Sequence, residues 1–403
     1  MSHHNSVKLS HADALVPAQH VFNKLPLTGT IIGLVSLLVA FYLAKNDASY
    51  FFFSFHVSWL FFLSLAFGAV FFVLIQFATK AGWSIVVRRL AENVAMTMPL
   101  FIILFVVIIL GSHTLFHHWL STESFTDPVL AQKRWYLNLP FLYVRAAIYF
   151  VAFTSAAYYF AIYSIKQDAS GSHAITRKLQ NASYPFLILL GFCITFFAFD
   201  WIMSLDPHWY STIFGLYFFA SCYMAFLAFL AILTRMTQNI PTLNKVITVE
   251  HYHDLGKLIF GHSCFWAYAA YAQYLLIWYG NIPEETKWYS IRQTHGWFWV
   301  WCVLCVGHFI VPFLFLMARS AKRCKTMVVL VAVWMLVMHF IDLYWLVVPT
   351  KYEEGSHFSF IDVFCFLGVG GLFIALFAAL ARRKALVPIQ DPRLPESMNY
   401  ENV

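Results

Sequence analysis

Ten apolar segments, at 27–44, 50–79, 84–110, 138–163, 183–204, 210–234, 257–279, 296–318, 326–348 and 358–381, leave this chain few ways to fold. A bilayer's hydrocarbon core is about 30 Å thick, and a helix rising about 1.5 Å per residue crosses it in roughly 20 residues. No water reaches backbone N–H and C=O groups at that depth. Without the alternation of barrel strands, only helices satisfy them. Composition agrees, since 61% of residues are hydrophobic and 11% are charged, against about 25% charged in soluble domains. The chain therefore reads as an all-α polytopic membrane protein with ten transmembrane helices in a lipid bilayer.

Ten crossings put both termini on one side, and the basic residues choose it. The N-terminal tail, the loops after the second, fourth, sixth and eighth segments, and the C-terminal tail hold 19 of the 26 Lys and Arg. The opposite loops hold six, and Arg145 lies inside a segment. By the positive-inside rule, both termini face the cytoplasm. The formal charge of +7 is then a matter of topology and calls for no nucleic acid. Residues 1–26 read as a cytoplasmic tail and not as a signal peptide, because no basic start leads into a cleavable apolar core. Residues 27–381 form the transmembrane domain, and 382–403 form a cytoplasmic C-terminal tail.

Ionisable groups within the apolar segments carry the functional signal. FAFDWIMSLDP (197–207) and HFIDLYWLVVP (339–349) each place an aspartate seven residues before a proline: Asp200 before Pro207, and Asp342 before Pro349. The second to fifth and sixth to ninth segments run in the same directions, and each set closes on this exit. That pattern predicts two four-helix bundles, 50–204 and 210–348, related by duplication, with the first and tenth helices peripheral. Topology places Arg145, Asp200, His339, Asp342 and Asp362 in the outer half, and Glu92, His251, His253, His262 and Gln273 in the inner half or centre. An ionisable residue in a span costs about 2.5–3.5 kcal/mol on insertion scales, so ten such polar residues call for a reason. A proton path through them is one.

Each residue also has a plainer reading. Glu92 can pair with Arg88 or Arg89, and Asp200 and Asp342 can cap structure beside their prolines. Arg145 can snorkel outward or pair with an outer aspartate. Pro99 frees the carbonyl of Ala95 and should kink the third span. His339 and Asp342 share a helix face, as do His262, Trp266 and Gln273. His308 lies about 18 Å from the outer end of its segment, near mid-bilayer. A bis-His haem site needs two histidines at one depth on facing helices, and His308 is deep alone. The Cys302-x-x-Cys305 pair lacks the adjoining histidine of a c-type haem site, and the cysteines read as small buried apolar residues.

FDWIMSLDPHWYSTIFG (199–215), QYLLIWYGNIPEET (273–286), HFIDLYWLVVP (339–349) and GVGG (368–371) together resemble the F-type membrane subunit of bacterial alternative complex III, in the polysulfide-reductase/NrfD-like family. The likeness extends over nearly the whole chain. It implies a non-redox subunit of a respiratory quinol:cytochrome c oxidoreductase in a bacterial inner membrane. The partners it implies are a sister NrfD-like C-type membrane subunit, an iron–sulfur protein with a molybdopterin-enzyme-like domain, multihaem c-type cytochromes and a terminal cytochrome oxidase. It also implies no cofactor on this chain, with menaquinone or its quinol as the redox molecule nearby. A proton route carried over by position would enter at Glu92, His251, His253 and His262, and leave past Asp200, Asp342 and Asp362. Two rival readings stay open: a quinol-oxidising subunit of the same type of complex, and an autonomous proton-coupled secondary transporter.

Overall fold

The computed structural model describes residues 12–122, 126–355 and 357–402, and among these residues the chain is helical, with no strand. Among the described residues, nine helices are long and apolar enough to cross a membrane. In chain order the long helices are α1 (Leu25–Leu43), α2 (Ala48–Ala78), α3 (Ile85–Leu110), α4 (Leu139–Ser170), α5 (His173–Trp201), α6 (Phe214–Thr237), α7 (Val249–Gly280), α8 (Trp297–Met317), α9 (Lys325–Val347) and α10 (Phe360–Ala381). The one outside the nine is α7. It is long enough at 32 residues, but His262, Gln273 and a series of tyrosines dilute its apolar run.

Two helices form the centre. The α2 sequence is hydrophobic all round, which is the pattern of a helix enclosed by others, and 94% of its apolar window is buried. For α6 the share is 83%. These two lie side by side. Around them, α2 packs against α3, α5, α9 and α10, and α6 against α5, α7 and α9. At the other extreme, α1 is only 22% buried in its window and lies outermost, laid along α10. Glycines set that spacing: a Cβ on Gly29 would come within 2.7 Å of the Gly371 carbonyl oxygen, and one on Gly371 within 2.7 Å of Gly29's. Small residues allow backbones to approach this closely.

Local chemistry explains the ends and breaks. Asp47 caps α2 by accepting from the Tyr50 amide at 3.1 Å, and Asn138 caps α4 through Phe141 at 2.9 Å. Gly171, with φ of 60°, ends α4 in the left-handed conformation that favours glycine. The third span is broken as its proline predicts, into Ile85–Ala95 and Met98–Leu110 with Pro99 in the first turn of the second piece. In α8 the helix widens to a π turn over Cys305–Ile310, just before Pro312. Proline has no N–H to offer four residues back, so the ladder is already open there. The Trp334 indole donates to the Gly307 carbonyl at 2.7 Å and closes part of the gap. A Cβ on Gly307 would strike Met338 Sδ.

Candidate functional site

The two Asp-x6-Pro exits are built alike and furnished differently. Each helix leaves through a short 3-10 turn, Met203–Leu205 after Asp200 and Val348–Thr350 after Asp342. Both carboxylates are fully buried. Asp200 faces a cation. Arg145 on α4 donates from Nε to Oδ2 at 2.8 Å and from Nη2 to Oδ1 at 2.9 Å, and Tyr149 adds its hydroxyl at 2.7 Å. The guanidinium is held in turn by the Tyr136 carbonyl at 2.9 Å and by the Tyr136 ring, 3.8 Å from its centroid. Arg145 thus pairs inward, as one of its two sequence readings anticipates.

Asp342 faces only neutral donors. The Tyr217 hydroxyl donates to Oδ1, the Ser221 hydroxyl lies 3.1 Å from Oδ2, and the Trp266 indole N–H lies 3.3 Å from the same oxygen. Among the described residues no basic side chain forms an ion pair with it. One turn earlier on α9, His339 lies fully buried between two hydroxyls, with Nδ1 2.9 Å from Ser221 Oγ and Nε2 2.7 Å from Ser64 Oγ. Ser64, His339, Ser221, Asp342 and Tyr217 thus form one unbroken series of hydrogen bonds joining α2, α9 and α6. Trp266 roofs it, and its other face stacks on His308, with ring centroids 3.7 Å apart. His308 is fully buried, and among the described residues neither ring nitrogen has a hydrogen-bond partner. Its place in the widened π turn brings it against this cluster.

The remaining sequence-named residues are dispersed. Glu92 sits in a buried charge network: its carboxylate is 3.3 Å from Arg88 Nε and 2.9 Å from Arg89 Nε. Arg88 also reaches Asp391 of the C-terminal tail at 2.5 Å, and Arg89 reaches Asp168 at 2.9 Å. Its plainer reading, pairing with Arg88 or Arg89, is what the geometry has. His251 caps α7, accepting from the Thr248 amide at 3.1 Å, and its other nitrogen is 3.4 Å from Ser397. His253 lies 3.9 Å from Glu250. His262 contacts the Leu258 carbonyl at 2.9 Å and packs its ring 4.6 Å from that of Tyr223. Gln273 donates to the Tyr289 hydroxyl at 3.0 Å, so it serves the 281–296 connection and not the centre.

Asp362 is a capping residue of α10. It accepts from the Ser359 amide at 2.8 Å, from Ser54 at 2.6 Å and from Tyr50 at 2.6 Å. No hydrogen bond among the described residues links the Asp342 cluster to Asp200, Glu92 or Asp362. Among these residues, no group of three or more His, Cys, Asp or Glu could hold a metal ion.

Sequence reasoning missed Ser64, Tyr217 and Ser221 as members of the site. The available signal was slight: Tyr217 and Ser221 are four apart, hence on one face, in a span otherwise apolar. It missed His56 as well, which is fully buried on α2 with Nε2 2.7 Å from the Trp201 carbonyl.

No protein-family model matches this chain, and no curated protein matches it either.

Proposed function

We propose that this chain is a proton-conducting, non-redox membrane subunit of a respiratory quinol:cytochrome c oxidoreductase of the alternative complex III type, lying in a bacterial inner membrane with both termini cytoplasmic. In this reading α7 is the tenth span, and helices 2–5 and 6–9 are duplicated four-helix sets. Its partners are a sister membrane subunit, an iron–sulfur protein and multihaem cytochromes. The sequence resemblance supplies the complex. The observation that carries the proton role is the Ser64–His339–Ser221–Asp342–Tyr217 series, whose carboxyl has no counter-ion.

The chemistry follows from the order of the atoms. Ser221 Oγ lies within hydrogen-bond distance of both His339 Nδ1 and Asp342 Oδ2. Its hydroxyl can therefore donate to one as it accepts from the other. A proton leaving Asp342 passes to Ser221 as the serine's own proton moves to His339 Nδ1. The imidazole then releases a proton from Nε2 toward Ser64. Each transfer conserves charge along the series, and resetting it takes rotation of the hydroxyls, a flip of the His339 ring that returns its N–H to the Ser64 side, and a new proton on Asp342. Beyond Ser64 and Tyr217, transfer falls to water. Asp200, held by a guanidinium, is a structural counterpart of Asp342 and not a second relay.

The test is the complex carrying Asp342→Asn, reconstituted in vesicles with quinol and cytochrome c. Electron transfer should continue while proton release per electron falls. Unchanged proton stoichiometry would defeat the reading.

One observation favours the second reading, that this chain itself takes up quinol. An apolar groove of about 590 Å³ opens between α1, α2, α9 and α10, with Asp362 among its lining residues. The oxygens of Asp362 are already engaged by Ser54, Tyr50 and Ser359, so a quinol hydroxyl would have to displace one of them. That makes it the weaker of the two.

A further inference from the structure

Arg292 is a buried cation that the proton series does not use. It lies in the 281–296 connection and is 1% exposed. Its guanidinium donates to three backbone carbonyls: Nε to Trp345 at 3.2 Å, Nη2 to Leu346 at 3.0 Å and Nη1 to Trp288 at 3.1 Å. Among the described residues, no carboxylate forms an ion pair with it. The Trp345 carbonyl is the one that Pro349, lacking an N–H, leaves open at the end of α9. Capping that end does not call for a charge, because a neutral amide or indole meets a carbonyl as well. The negative end of the α9 dipole favours a cation, but by less than the cost of burying one. The charge needs a further reason.

Position supplies it. Trp345 and Leu346 follow Asp342 by three and four residues, hence about 5 Å nearer the outer face in the topology read above. The guanidinium rests 3.6 Å from the Trp288 ring centroid. Trp288 in turn stacks on Trp209, from the first exit, at 4.2 Å, and meets Trp345, from the second, edge-on at 5.4 Å. All three tryptophans are buried, so the cation sits in a dry aromatic box where the two exits join. Burial lowers the Arg292 pKa from 12.5 to about 9, against the pull of Asp206, Tyr289 and Glu353, which leaves it charged at neutral pH. Asp206 is half-buried just before Pro207, and Glu353 is exposed beyond Pro349. Going outward, the sequence of groups is a buried carboxyl, a fixed cation, and two carboxylates within reach of water.

We propose that Arg292 is the charge barrier at the outer end of the relay, which keeps Asp342 from exchanging protons passively with the outer face. A fixed guanidinium in a dry constriction raises the barrier to a proton from either direction. A proton driven outward during turnover meets Asp206 and Glu353 on the far side. The inference rests on the proton-relay reading above.

Vesicles holding the intact complex, with a potassium–valinomycin potential and an internal pH indicator, test it without turnover. Arg292→Gln keeps an amide donor for the carbonyls and removes the charge. Passive proton entry should quicken roughly tenfold, the scale of taking one unit charge from a passage of intermediate dielectric, while Arg292→Lys should stay near the unsubstituted rate. Adding Asp342→Asn to Arg292→Gln should abolish the gain, because the leak runs through the relay. An unchanged rate in Arg292→Gln, an equal gain in Arg292→Lys, or a gain that survives Asp342→Asn would overturn the barrier. Should Arg292→Gln fail to assemble, Asp206→Asn carries the test. With that carboxylate gone the cation is less screened, and proton release during turnover should slow about threefold relative to electron transfer; unchanged release would overturn the barrier. Asp342→Asn alone judges the relay, so lowered proton stoichiometry there, with no leak in Arg292→Gln, defeats the barrier and spares the relay.

Discussion

Arg145 and Asp200 meet as a two-pronged buried ion pair, Nε to Oδ2 at 2.8 Å and Nη2 to Oδ1 at 2.9 Å, while Asp342, in the second exit of the same pattern, meets no cation among the described residues. Removing the arginine strands a buried carboxylate, which typically costs about 3–5 kcal/mol. Arg145→Ala should therefore lower the thermal midpoint of the detergent-solubilised protein sharply. Adding Asp200→Ala should restore part of the loss, so that the double variant falls short of the sum of the singles. A double variant no better than Arg145→Ala would mean the arginine acts through its packing on Tyr136 and Phe141 instead.

Ser221 is the hinge of the proposed relay, because it alone bridges His339 and Asp342. Ser221→Ala removes one hydroxyl without adding bulk. Proton uptake coupled to turnover should slow by on the order of a hundredfold, the scale of losing a positioned proton-transfer group, while Ser221→Thr should retain most of it. Vesicle pH-indicator traces beside oxygen or cytochrome c kinetics separate this from general damage. Equal slowing of both readouts in both variants would count against the relay.

At the basic end, Glu250 pairs with Arg323 at 2.5 Å, and the Asn402 amide donates to the Glu250 carbonyl at 3.4 Å. Burial raises the Glu250 carboxyl, but Arg323 and Asn402 outweigh it and hold it below its ordinary value of 4.5. A depressed carboxyl contributes stability that is complete above the ordinary value and is lost as pH falls through the lower, folded one. Amide protection across 394–402 should accordingly hold from pH 7 to about 5 and fall below about 4.5. Hydrogen exchange quenched after labelling at each pH would show it. Loss of protection already at pH 6 would assign the docking to another group.

The contact between Gly29 and Gly371 leaves no room for a side chain. Gly371→Leu should force α1 from α10 and cost about 1–3 kcal/mol, and it should open α1 to protease in detergent before the rest of the chain. Gly191, beside whose Cβ position nothing lies within 4 Å, supplies the control: Gly191→Leu should be neutral.

Apolar length was legible in the sequence, and so were the break at Pro99 and, as one of two readings, the pairing of Glu92 with Arg88 or Arg89. These depend on neighbours along one helix, where spacing fixes geometry. The α7 crossing was drawn from the apolar run at 257–279, yet its polar residues keep it outside the nine helices that stand by composition. The Asp342 site was half legible. His339 and Asp342 share a face of α9, but their partners Ser64, Tyr217 and Ser221 come from α2 and α6, and no periodicity reports which serine meets which histidine. Gln273 was grouped with His262 and Trp266 by helical angle alone. Its side chain instead serves Tyr289, because the 281–296 connection folds back over that end of α7.

The glycine seam between α1 and α10 has a consequence in time. During synthesis the first apolar helix emerges long before the last, and the surface it packs on is made of residues from 368 onward. Until those residues are inserted, α1 lacks its main packing surface and keeps only its edge contact with α2, where Phe41 meets Phe51, and the flank of α2 that α10 covers stays bare. The bundle can be sealed only after almost all of the chain has been made, which marks the C-terminal helix as the point where a truncated product would betray itself.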